Sequence, residues 1–194
     1  MTFSRALSFS SAIAVLALGL SGLVATPARA MGLIGRELDV AYYTPDTETV
    51  YVGAAFTPDS FVVGLGEETD GNVEDVTHLL VDFDEDSLHI NLHTILSNPT
   101  WGNTAFNGMI FTLALPLDIE TATVDGSTTM SGFDDSRVSF TNDKILVNWA
   151  GLSYADGTTV KINFTFGAPV PEPCSGLLVG CGLLGLAYFR RARA

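Results

Sequence analysis

All three histidines of the chain, His78, His89 and His93, fall between residues 78 and 93, interleaved with acidic side chains. Imidazoles that converge on a point bind zinc or copper, and a carboxylate such as Asp82 can complete the set. Convergence depends on register. Leu79, Val81 and Phe83 alternate with other residues before Asp84-Glu85-Asp86-Ser87, and Leu88, Ile90 and Leu92 do so after it. A hairpin turning on Glu85-Asp86 pairs Phe83 with Leu88, Val81 with Ile90 and Leu79 with Leu92. The apolar faces then coincide, which a slip of one residue would destroy. The same register sets His78 opposite His93 and Asp82 opposite His89, with opposed Cβ atoms about 5 Å apart. A metal held by His78, His89, His93 and Asp82 is one reading of this cluster. The plainer one is a polar sheet face in water, and no cofactor is expected.

Other chemistries are thinly represented. Asp82, Asp84 and Asp86 form a D-x-D-x-D series like the start of a calcium loop, but the glycine and distant glutamate of such a loop are missing, so an acidic hairpin turn explains it. No G-x-S-x-G elbow occurs. Asp134-Asp135 and Glu67-Glu68 are carboxylate pairs of a kind glycoside hydrolysis could use, although neighbouring acids are common in acidic loops. Trp101, in Asn98-Pro99-Thr100-Trp101-Gly102-Asn103, is a sugar-stacking platform if exposed and a plug at one end of the fold if buried, the reading preferred here. With no catalytic constellation recognisable, a non-enzymatic protein is expected.

The elements that must position these residues are strands. Short apolar runs separated by turn residues recur every eight to twelve positions, and no stretch between the two ends keeps a helical period for three turns. This predicts an all-β domain, an antiparallel β-sandwich of jelly-roll or immunoglobulin-like type, over residues 31–169. Strands are expected at Leu38–Tyr43, Val50–Phe56, Phe61–Leu65, His78–Phe83, Leu88–Leu96, Met109–Leu115, Ile119–Val124, Arg137–Thr141, Ile145–Trp149 and Val160–Phe166. Gly66–Asp75, polar and acidic, reads as a mobile loop. Residues 31–170 hold Arg36, Arg137, Lys144 and Lys161 against 21 of the 22 acidic residues, a balance of 4 − 21 = −17. So negative a body repels nucleic acid and anionic lipid surfaces. Both cysteines, Cys174 and Cys181, lie beyond it, so the body has neither a disulfide nor a thiol nucleophile.

The ends carry a different message. Residues 1–30 show a positive charge at Arg5, an apolar run from Ile13 to Leu20 and the small-residue pattern Ala28-Arg29-Ala30. That is the layout of a secretory signal peptide, with signal peptidase expected to cut after Ala30. Residues 170–194 divide into Val170-Pro171-Glu172-Pro173, an uncharged apolar span at 174–189 and a basic tail at 190–194 with Arg190, Arg191 and Arg193. The prolines hold the Glu172 peptide extended. As a helix the span would run about 24 Å, short of the roughly 30 Å hydrocarbon core, a difference that Tyr188 and the arginines make up at the interface, with the tail in the cytoplasm and the body outside.

This arrangement resembles the PEP-CTERM sorting signal of Gram-negative bacteria. The resemblance is limited to residues 170–194. It implies that Pro171, Glu172 and Pro173 are the motif recognised by the membrane transpeptidase exosortase, that residues 174–189 are a transient transmembrane helix, and that Arg190, Arg191 and Arg193 are the stop-transfer signal. Cys174 departs from the small hydroxyl residue or alanine usual in that family, and Ala192 and Ala194 interrupt the arginines. Extracellular polysaccharide is the further partner it implies. The expectation is therefore an exported protein, anchored transiently in the inner membrane and then released to the cell surface or matrix, with a structural or binding task. The alternatives are a secreted polysaccharide-acting enzyme or carbohydrate-binding module and a metal-binding surface protein.

Overall fold

The computed structural model describes residues 32–167. They belong to a compact unit spanning Ala30–Val170. The strands are β1 (Glu37–Tyr43), β2 (Ala54–Thr57), β3 (Ser60–Val62), β4 (Thr69–Val73), β5 (Thr77–Phe83), β6 (Ser87–Thr94), β7 (Gly108–Leu113), β8 (Ile119–Val124), β9 (Val138–Phe140), β10 (Lys144–Asn148) and β11 (Thr158–Phe166). A single 3-10 turn at Asp135–Arg137 is the one helical element among the described residues. All strand pairs are antiparallel. The strands form one sheet ordered β3-β1-β7-β10-β9 and another ordered β2-β4-β5-β6-β11-β8.

The period-two pattern explains why these segments are strands and what they cover. Leu38, Val40 and Tyr42 of β1, Phe111 and Leu113 of β7, and Ile145 and Val147 of β10 are buried on the first sheet. Leu79, Val81 and Phe83 of β5, Leu88, Ile90 and Leu92 of β6, and Val160, Ile162 and Phe164 of β11 are buried on the second. These side chains join in one core, so the sheets pack face to face in a sandwich-like arrangement. Phe83 crosses the seam, edge-on to Phe111 with ring centroids 5.0 Å apart. Gly108 is required where β7 passes β10, because a Cβ there would lie 1.9 Å from the Val147 carbonyl oxygen.

The β5–β6 hairpin has the register expected from its alternation, including His78 opposite His93 and Asp82 opposite His89. The segment Gly66–Asp75 corrects its expectation. Part of it is β4, hydrogen-bonded between β2 and β5. Its inward positions are Thr69, Gly71 and Val73, so it lacks the large apolar side chains that announce a strand. The Phe56 ring of β2 fills the space over Gly71, where a Cβ would come within 2.3 Å of it. Its turn is also disguised. Glu74 and Asp75 both adopt positive φ, 54° and 56°, in the turn that Asn-Gly or Asp-Gly usually makes. Asn72 holds that turn, its Oδ1 accepting from Asp75 N at 3.0 Å and its Nδ2 donating to Asp75 Oδ1 at 2.8 Å.

Candidate functional site

The histidine face comes together in register, and two of its imidazoles turn to carboxylates. His78 Nδ1 lies 3.0 Å from both carboxylate oxygens of Asp70, a residue of β4. His93 Nδ1 lies 3.3 Å from Asp156 Oδ1, which also accepts from Thr94 N. Both imidazoles are about half exposed, at 48% and 53%. On its other side His89 stands opposite Lys161 of β11, a like charge to any bound cation. Among the described residues no group of three His, Cys, Asp or Glu side chains is placed to hold a metal ion.

Asp82 has a different neighbourhood. One of its carboxylate oxygens is buried without a hydrogen-bond partner. Nearby, Glu68 Oε1 accepts from Gly64 N at 3.0 Å and Oε2 from Phe83 N at 2.7 Å. Burial pushes the Glu68 carboxyl above its ordinary pKa; the two N–H groups oppose the shift, and the negative charge of Asp82 adds to it. Glu68 thus pins the chain before β4 to the end of β5.

The carboxylates at the β8 end are similarly committed to structure. Asp125 accepts from Ser127 N at 2.9 Å, Ser127 Oγ at 2.7 Å and Asn163 Nδ2 at 2.9 Å, and these bonds hold its carboxyl well below the usual range. Asp134 caps the 3-10 turn through Ser136 N, and Asp135 Oδ1 accepts from Val124 N at 2.6 Å. With Thr128 and Phe133 they line an open depression, but each acid already accepts from groups around it, Asp125 from Asn163 of β11 and Asp135 from Val124 of β8 among them. Asp125, Asp134 and Asp135 share that depression, but each is engaged by the bonds just given, whereas a glycosidase pair leaves one carboxylate to attack or activate water and the other to donate a proton.

A cleft with concentrated chemistry lies at the end of the sandwich where β1 and β10 finish. The loop at Asn98–Trp101 runs beside residues 151–154: Trp101 N donates to Leu152 O at 2.9 Å, Tyr154 N to Pro99 O at 3.0 Å, and Thr100 bridges to Ser153. This pairing lays the Trp101 ring on Tyr154, centroids 4.5 Å apart and planes 12° from parallel. Trp149, just after β10, stacks on Trp101 at 5.4 Å. Trp149 Nε1 donates to the Tyr42 hydroxyl at 2.7 Å, and that hydroxyl donates to Asn107 Oδ1 at 2.6 Å. Burial, the largest influence, raises the Tyr42 pKa far above its ordinary value, so the hydroxyl stays protonated and able to donate.

Trp101 itself is 8% exposed, and its Nε1 is buried with no partner. The cleft encloses about 310 Å³, with Tyr51, Glu74, Val76, Thr100, Trp101 and Tyr154 among its lining. Its rim is fixed by a hydrogen bond from the Tyr51 hydroxyl to Glu74. Asn98, with φ 49°, adds a second left-handed residue beside the same cleft.

Of the residues singled out from the sequence, Trp101 is the one that belongs to this cleft. Tyr42, Tyr51, Glu74, Asn107, Trp149 and Tyr154 were not anticipated. The signal that could have found them is aromatic residues placed where strands give way to turns, since adjacent antiparallel strands deliver such residues to a common end of the fold. The proposed cleavage residues Ala28 and Ala30, the motif Pro171, Glu172 and Pro173, and the arginines Arg190, Arg191 and Arg193 lie outside the described residues. Among the described residues no helix is long and apolar enough to cross a membrane. Compared with known protein families, curated proteins and solved structures, the chain matches none.

Proposed function

We propose that this chain is an exported, non-enzymatic surface or matrix protein. In this reading signal peptidase releases it after Ala30, the apolar span at 174–189 and the arginines hold it briefly in the inner membrane, and exosortase processes it near Pro171-Glu172-Pro173. The task of the body is binding or structural. The observation that carries the non-enzymatic part is that Glu74 is the one carboxylate lining the aromatic cleft, while Glu68, Asp125, Asp134 and Asp135 are occupied by backbone and side-chain donors of their own surroundings. Hydrolysis of a glycosidic bond by two carboxylates has no second acid there.

Repeated crossing supports a jelly-roll sandwich, since the chain passes from one sheet to the other between β1 and β2, β2 and β3, β3 and β4, β6 and β7, β7 and β8, β8 and β9, and β10 and β11. Mass spectrometry of the protein from its native host tests the delivery. A mature chain starting at Met31 and ending near the Pro171-Glu172-Pro173 motif is expected. A chain intact through Ala194 would overturn the processing.

A further inference from the structure

We propose that the cleft lined by Tyr51, Glu74, Thr100 and Trp101 is a saccharide-binding site, taking a neutral mono- or disaccharide unit. The inference deepens the binding reading above and rests on no part of the sorting reading.

Four features select this ligand. The volume, about 310 Å³, is at the lower end for small-molecule sites and suits one or two sugar rings. The Trp101 ring, part of the cleft wall, lies against Tyr154 and Trp149, and the ring carries the indole Nε1. That nitrogen is a buried donor without an acceptor, and leaving it so costs free energy that an entering oxygen recovers. Glu74 supplies a carboxylate on the opposite bonding sense, an acceptor for a hydroxyl, and it already accepts from Tyr51. Sugar hydroxyls both donate and accept, and so match in kind an acceptor at Glu74 and a donor at Trp101. Tyr51, half-buried at the rim, offers a ring to the C–H face of the sugar.

A quaternary ammonium ligand would suit the aromatic lining and Glu74 but has no acceptor for Trp101 Nε1. A carboxylate ligand would meet the repulsion of Glu74 and of the acidic body. The backbone around the cleft is also held in costly conformations, at Glu74 and Asn98, as is common where a binding rim must be fixed in advance.

The test uses the full chain, purified in a non-glycosidic detergent, titrated with maltose, cellobiose and N,N′-diacetylchitobiose and, separately, with tetramethylammonium chloride, reading tryptophan fluorescence and heat. At least one disaccharide is expected to bind saturably and to perturb the fluorescence. Trp101→Phe keeps the ring and removes the donor, and Glu74→Gln keeps the shape and removes the charge; each is expected to weaken that binding about tenfold. Glu74 is exposed, so its variant should fold as the parent does, which a thermal melt verifies. Binding by none of the sugars, sugar binding equal in parent and Glu74→Gln, or binding of tetramethylammonium alone would overturn the proposal. None of these results bears on the C-terminus found by mass spectrometry, so the two readings fail separately.

Discussion

The β5–β6 hairpin and the aromatic cleft are built on opposite principles. In the hairpin the inward positions from Leu79 to Phe83 and from Leu88 to Leu92 are all large apolar residues, the partners are neighbours in sequence, and the turn between them is short. Local alternation therefore fixes register, and register fixes which side chains meet. In the cleft the partners come from four distant stretches: Tyr42, Glu74, Trp101 and residues 149–154. Their positions depend on tertiary pairing of loops and on a polar chain from Trp149 through Tyr42 to Asn107. The hairpin is held by burial. The cleft is held by directed bonds around a space.

Paired substitutions should separate the two modes most sharply. Phe83 is fully buried between the sheets, so Phe83→Ala leaves a cavity at the seam and is expected to cost about 3–5 kcal/mol in chemical denaturation. Tyr42→Phe removes one oxygen, but that oxygen accepts from Trp149 and donates to Asn107, so two buried partners are orphaned and about 1–3 kcal/mol should be lost. The tryptophan fluorescence of Tyr42→Phe should also change, because Trp149 loses its hydrogen bond, whereas Phe83→Ala should leave the folded spectrum nearly unmoved. Equal spectral effects would mean that the cleft and the hairpin are not separately held.

The same contrast explains what could be read before the fold was seen. Ten strands carried period-two alternation, and each expected segment overlaps a strand, because burying one face of a sheet demands it. β4 escaped because Gly71 occupies an inward place that Phe56, on another strand, fills, and because Glu74-Asp75 makes a turn without asparagine or glycine. A pattern confined to one segment cannot report a side chain supplied by another. Tyr42 likewise reads as an ordinary core residue until Trp149 and Asn107 are placed around its hydroxyl. Trp101 was legible as a plug, and its buried ring agrees, but the unpartnered Nε1 is a fact of three dimensions.

Titration should expose a smaller difference, between the β3–β4 connection and the β8 end. Glu68 has its pKa raised in the fold, so the folded chain keeps a proton that the unfolded chain has released. Its contribution is fully present below the ordinary carboxylate range, about pH 4, and is lost as pH rises through the higher folded value. Asp125 is shifted down, so its contribution is present above that range and is lost as pH falls. Denaturation midpoints between about pH 3 and 7 should show Glu68→Gln removing part of the decline above pH 4, by less than about 1 kcal/mol given its partial exposure. Asp125→Asn should remove part of the decline on the acid side. The same change of slope for both variants would contradict the two assignments.

The smallest effect is expected on the hairpin's outer face, and it bears on whether register alone makes a site. His78 and His93 stand opposite one another, yet each Nδ1 turns to a carboxylate from a neighbouring segment, Asp70 or Asp156. A half-exposed pair of this kind contributes little, because water solvates both partners nearly as well. His78→Ala should therefore change stability by less than about 0.5 kcal/mol at pH 7, measured by urea denaturation. Zinc or copper titrated into parent and variant should give the same heat as dilution, since a third ligand does not converge on the pair and Lys161 stands opposite His89. A saturable heat present in the parent and absent from His78→Ala would show that the imidazoles can leave their carboxylates for a metal, and the hairpin would then share with the cleft the property of a site completed by what binds it.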